Sequence, residues 1–108
     1  VGEVWWAEFP YEETSDFKKR PVIVLDADTI MVLSVKVTTS NPRDNDIYDV
    51  PILYWSECKL RLQSTARTAK TILIAKSAFK HKIGDMHEDD LNAIFDTYVQ
   101  YLEDNGIL

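Results

Sequence analysis

Only one cysteine, Cys58, occurs in the chain, which excludes an internal disulfide and any thiolate metal cluster. A reactive thiol needs electropositive neighbours, and without them Cys58 is read as an inert, half-buried residue. Glycine is scarce too. Three glycines in 108 residues leave little material for a phosphate-cradling loop, and there is no His-x-x-x-His spacing. No metal or cofactor is expected. The longest apolar runs, Val22 to Leu25 and Ile72 to Ala75, fall far short of the roughly 20 residues that cross a bilayer. Val1 to Trp6 has neither the basic start, the apolar run nor the cleavage site of a secretory signal, so the expectation is a cytoplasmic chain. A chain of this length holds one core, and a single domain over residues 1–108 is expected.

An excess of positive charge is also missing. The net charge is −6, whereas proteins that coat nucleic acid neutralise its phosphates with surplus Lys and Arg. Distribution qualifies this. Most of the 18 acids lie in residues 1–28 or 85–104, while residues 59–82 carry lysines and arginines and no acid. A local basic surface is therefore compatible with an acidic total.

What is present is a succession of short runs rich in Val, Ile and aromatics, divided by polar turns. Gly2 to Phe9, Arg20 to Asp26 and Ile30 to Thr38 read as strands, with Asp26 to Asp28 as the turn of a hairpin. Ser40 to Asp46, with Pro42 and side chains that compete for backbone hydrogen bonds, is the strongest loop signal. Val50 to Trp55, Cys58 to Gln63 and Thr71 to Ala75 are further strand candidates. In the second of these, Leu60-Arg61-Leu62 alternates apolar and basic. Lys76 to His81 reads as one helical turn. Leu91, Ile94, Phe95, Tyr98, Tyr101 and Leu102 recur at helical spacing, with His87 at the N-cap, Asp90 three residues on, and Asn105-Gly106 as the stop. The acids of 85–104 then form the solvated side of that helix. Trp5 and Trp6, being adjacent in a strand, face opposite ways: one belongs to the core and the other faces a partner or a base.

Four blocks in this order resemble the MazF/PemK-like toxins. Gly2-Glu-Val-Trp-Trp-Ala-Glu-Phe-Pro-Tyr11, followed after a polar loop by Lys19-Arg-Pro-Val-Ile-Val-Leu25, resembles that family's opening. Val35-Lys-Val-Thr-Thr-Ser40 is similar to its third strand, and Ser64-Thr-Ala-Arg-Thr68 to the segment bearing its Arg-Thr or Lys-Ser pair. Ile83-Gly84 with Glu88 to Leu91 is similar to the lead into its last helix. Only 41–57 is poorly matched, and four blocks together are far more specific than any one alone. The resemblance implies a mainly β fold, an SH3-like barrel of antiparallel strands with a C-terminal α-helix.

It also implies a type II toxin that cleaves single-stranded RNA without a metal, by attack of the 2′-OH, leaving 2′,3′-cyclic phosphate and 5′-OH ends. Its catalytic pair would be Arg20 and Thr38, with Lys19, Thr39, Ser40 and Arg67 binding RNA. The residue types suit that chemistry: a planar guanidinium can meet two oxygens of a dianionic phosphorane, and a threonine hydroxyl can donate to a third. Arginine stays protonated, so Arg20 is a poor general base. Some family members carry a glutamate five residues before the arginine; this chain has Ser15 there, with Glu13 and Asp16 as neighbouring carboxylates. Histidine is the side chain whose unperturbed range suits a general base, but His81 and His87 belong to segments expected away from the site. No base is assigned.

Without the resemblance, Arg20 is an exposed strand-start charge, and Thr38 and Thr39 are strand-end residues of good β-propensity. Arg67 is either a phosphate contact or a solvated edge-strand charge. The partners implied are RNA, a second copy of the chain in a homodimer and a cognate antitoxin, with operator DNA reached only through the antitoxin complex and no membrane. The rival readings are non-catalytic. One is a CcdB-type gyrase poison, whose Trp-Gly-Ile ending is absent from Asn105-Gly-Ile-Leu108; the other is an inactive interaction module.

Overall fold

The computed structural model describes residues 1–10, 16–28 and 30–108. Among these, six strands form one antiparallel sheet and a single α-helix follows. The strands are β1 (Glu3–Pro10), β2 (Phe17–Ala27), β3 (Met31–Thr38), β4 (Asp49–Ile52), β5 (Ser64–Ala75) and β6 (Phe79–Asp85), and the helix is α1 (Glu88–Asp104). Their spatial order is β4-β5-β3-β2-β1-β6, so β1 to β3 form a meander and β5 crosses to the far side of β3. The mainly β fold with a terminal helix is as the sequence implied.

Alternation along the strands divides the apolar residues between two faces. Val4, Ile23, Leu25, Val35, Val37, Ile52 and Ala66 pack with Cys58, Leu60 and Ile94 of α1 into the main core. On the other face Ala7, Phe9, Val22 and Ile74 form a smaller cluster, joined by Trp5, Ile72 and Phe79. Of the two adjacent tryptophans, Trp5 packs against this second core cluster and Trp6 against neither cluster. Trp5 is half-buried and donates from Nε1 to Glu3, and Trp6 is half-buried and stacks on His81.

Local signals placed α1 well. His87 caps it, Nδ1 accepting from the Asp89 N–H at 3.0 Å. Gly106, at φ +71°, closes it as a left-handed stop, with the amides of Gly106 and Ile107 donating to Glu103 and Leu102. Asp90, however, does not complete a capping box. Its carboxylate, 3% exposed, accepts from the amides of Leu53 and Tyr54 at 3.1 and 2.8 Å.

That contact explains two departures from the sequence reading. The strand expected over Val50 to Trp55 ends at Ile52, and Cys58 to Gln63 is no strand until Ser64. Instead the chain turns on itself through Cys58 N–H to Tyr54, Lys59 N–H to Ser56 and Leu60 N–H to Trp55, with Lys59 at φ 69°. The Leu60-Arg61-Leu62 alternation therefore defines no face: Leu60 is 8% exposed and Leu62 61%. Cys58 is fully buried rather than half-buried, and burial pushes its thiol pKa up.

The helical turn expected over Lys76 to His81 is also only partly present. Lys76–Ala78 makes a 3-10 turn, and Phe79 onward becomes β6 because the open edge of β1 offers backbone partners. Lys80 and Lys82 keep this edge strand charged, pairing with Glu8 and Asp85. Gly84 is required here, since a Cβ at that position would run into the Cys58 carbonyl. The last strand candidate, Thr71 to Ala75, is the end of a much longer β5, whose polar first half concealed it.

Candidate functional site

Cross-strand partners share a face, and successive residues alternate. One transverse row therefore runs Trp5, Val22, Lys36, Arg67 and Asp49 across β1, β2, β3, β5 and β4. Two residues along each strand lie Ala7 opposite Arg20, and Thr38 opposite Thr65. The β2–β3 ladder ends at Val22 and Lys36, and Arg20 and Thr38 are each two residues beyond that pair. Both side chains thus belong to the same end and the same face, next to the Ala7, Phe9 and Val22 cluster. Arg20, Lys36, Thr38 and Arg67 are all partly buried, on the face that holds the Ala7, Phe9 and Val22 cluster.

The chain leaving Thr38 is tied down at once. The Ser40 amide donates to Thr38 Oγ1 at 3.3 Å, Thr38 Oγ1 lies 3.4 Å from Ser40 Oγ, and the buried Thr65 donates to the Ser40 carbonyl at 2.8 Å. Thr39 and Ser40 themselves are exposed. A second anchor is Asp49, whose side chain is 0% exposed. Its Oδ2 accepts from the Arg43 amide at 3.0 Å, Arg43 Nε at 3.2 Å and Arg67 Nη1 at 3.3 Å. The hydrogen bond to Asp49 holds the Arg43 guanidinium above its ordinary pKa, against a smaller opposing effect of burial.

Arg67 is therefore not a solvated edge-strand charge. β5 lies between β4 and β3, the side chain is 12% exposed, and its guanidinium is engaged by Asp49. Lys19 is not brought to this face: alternation turns it the other way from Arg20, opposite Glu8. His81, paired with Trp6, also belongs to the opposite face, and His87 is occupied at the α1 N-cap beside Tyr54. Of the carboxylates near Arg20 in sequence, Asp16 is exposed; Glu13 and Ser15 lie outside the described residues. No three His, Cys, Asp or Glu side chains come together as a metal ligand set among the described residues. Lys36, Arg43 and Asp49 were not singled out from sequence. Lys36 carried a usable signal, being the polar member of Val35-Lys36-Val37-Thr38 in register with Thr38. Asp49 carried none.

A family profile described as PemK-like, MazF-like toxin of type II toxin-antitoxin systems matches residues 1–100. The chain belongs to this family. Solved structures agree on the fold. An endoribonuclease in complex with its cognate antitoxin from a mycobacterial species superposes with a TM-score of 0.74 at 16% identity, covering 94% of this chain and 92% of that one. The Mycobacterium tuberculosis toxin MazF-mt6 gives 0.73 at 18% identity, covering 94% and 96%. A MazE-MazF structure from Deinococcus radiodurans gives 0.72 at 13% identity, covering 95% and 94%. No match was found among curated proteins. Within the MazF-like fold, the Arg20 and Thr38 end of β2 and β3 is where this chain gathers a cation, a hydroxyl and an exposed loop on one face. Among the described residues, no helix is long and apolar enough to cross a membrane.

Proposed function

We propose that this chain is the toxin of a type II toxin-antitoxin pair and an endoribonuclease that cleaves single-stranded RNA without a metal. The observation that carries the reading is the convergence of Arg20 and Thr38 at one end of the β2–β3 ladder, on the face that also bears Lys36 and Arg67. In the reaction the 2′-oxygen bonds to phosphorus and the P–O5′ bond breaks. The proton given up by the 2′-OH is balanced by the one the 5′-oxygen gains, leaving a 2′,3′-cyclic phosphate and a 5′-OH. The protein's part is to hold the phosphate and offset its developing charge, Arg20 meeting two non-bridging oxygens and Thr38 donating to RNA beside it. Thr39 and Ser40 would line the approach.

The family resemblance further supports a cytoplasmic homodimer whose paired sites form one RNA channel, and an antitoxin segment that fills it. Exposed apolar side chains such as Leu73 and Ile30, 60% and 72% exposed, are consistent with surface covered by a partner.

Incubation with a defined RNA pool in excess EDTA tests the activity. Single-stranded RNA is expected to be cut to cyclic phosphate and 5′-OH ends, while duplex RNA resists because its backbone is held in helical geometry. Activity that vanishes with EDTA and returns with a divalent ion overturns the mechanism. In light scattering at micromolar concentration, a particle of 12.5 kDa rather than twice that mass overturns the dimer.

A further inference from the structure

Asp49 stands out among the groups around the site. Its side chain is wholly buried, and a single oxygen gathers three N–H donors from two arginines. The other oxygen, also buried, has no hydrogen-bond partner among the described residues. Burying a carboxylate is costly, and ion pairs of this kind are often no more stabilising than apolar packing. A negative charge close to a surface that receives phosphate also works against RNA binding. Neither stability nor affinity accounts for it well, but geometry does. Arg67 lies in one row with Lys36, adjacent to the row of Thr38 and Thr65. The Arg43 amide belongs to the same loop that starts at Thr39 and Ser40, so Asp49 and Thr65 fasten that loop at two points.

Building on the ribonuclease reading above, we infer that Asp49 is a positioning residue: it fixes the Arg67 guanidinium and the Arg43 end of the 39–48 loop, so that RNA meets Thr38 and Ser40 in one arrangement. An unpaired arginine samples many rotamers, and the carboxylate removes that freedom before RNA arrives. The arrangement gives up some affinity for phosphate in exchange for orientation, which separates binding from turnover.

The test uses the full chain and a single-stranded RNA whose cleavage site has been mapped with the wild type. It compares wild type, Asp49→Asn, Asp49→Glu, Arg67→Gln and the Asp49→Asn/Arg67→Gln double variant. Misplacement by about 1 Å can cost up to about a hundredfold in rate, so Asp49→Asn is expected to lower kcat about tenfold to a hundredfold. KM should not rise, and binding of a 2′-deoxy uncleavable analogue should tighten and become more salt-dependent as the arginines turn to phosphate. Asp49→Glu, which keeps the charge and shifts it, should lose kcat with binding unchanged. The double variant should lose less than the product of the two single losses, because part of the Asp49 effect runs through Arg67 and the rest through Arg43. Wild-type kcat in either Asp49 variant, a loss confined to KM, or effects that multiply in the double variant overturns the inference. If Asp49→Asn does not fold, as read by circular dichroism, Asp49→Glu decides. A wild-type chain that cuts no RNA defeats the ribonuclease reading itself, a result distinguishable from all of these.

Discussion

Asp90 and Asp49 are both buried carboxylates, 3% and 9% exposed, and they serve opposite faces of the sheet. Asp90 sits in the first turn of α1, on the main-core side, and each of its oxygens accepts one backbone amide, from Leu53 and Tyr54. Asp49 lies on the Arg20 face and spends one oxygen on two guanidiniums and an amide while the other goes without a partner among the described residues. The first is what a carboxylate looks like when it holds a fold together: fully satisfied, bound to main chain, joining a helix to a turn. The second is bound mainly to the side chains of Arg43 and Arg67, on the face where the ribonuclease site is proposed. Buried charge alone does not distinguish structural from functional residues; the identity and completeness of its partners does.

The contrast can be broken by substitutions on either side. The largest effect is expected at Arg20. Arg20→Ala should lower RNA cleavage by roughly a hundredfold to a thousandfold, the loss of about 2.7–4 kcal/mol that follows removal of one donor to transition-state charge. Its thermal midpoint should stay close to wild type, and Thr38→Ala should lose less activity. Cleavage by Arg20→Ala at the wild-type rate would remove the site from this face.

Asp90→Ala should do the reverse. Stranding two amides at about 1–3 kcal/mol each is expected to lower stability in urea by about 2–6 kcal/mol, with cleavage per folded molecule unchanged. A fall in that specific activity would erase the division between the two aspartates. Gly84→Ala tests the same side through packing, since the new methyl group meets the Cys58 carbonyl. Overpacking of this kind costs about 1–3 kcal/mol, read as a lower urea midpoint at unchanged slope. A stability equal to wild type would mean that β6 and the 53–63 turn separate easily.

Much of this architecture is legible in the sequence. The alternation in residues 2–9, 20–26 and 30–38 marked β1 to β3 to within a few residues, and α1 announced itself through its apolar stripe, His87 and Gly106. Of the proposed site, Arg20, Thr38, Thr39 and Ser40 are legible from their place in a family pattern; Arg20 and Thr38 share one end of one face, and Thr39 and Ser40 are exposed in the loop that follows. Lys19 was named as well and lies on the other face, because the pattern carries identity and not the parity of a strand. Asp49 was missed because an aspartate at the edge of a polar loop looks like any other.

The sequence by itself determined the elements whose signals are local: strand periodicity, helix caps and the Gly106 stop, all of which depend on residues within a few positions of one another. Tertiary structure alone decided β6, the turn over 53–63, the long β5 and the burial of Asp49. Each of these rests on partners far apart in the chain, Trp6 with His81, Asp90 with Leu53, Gly84 with Cys58 and Asp49 with Arg67. Such contacts form only once the sheet has brought their strands together, and there the gain from pairing open backbone and charged groups outweighs the weak preferences of short segments.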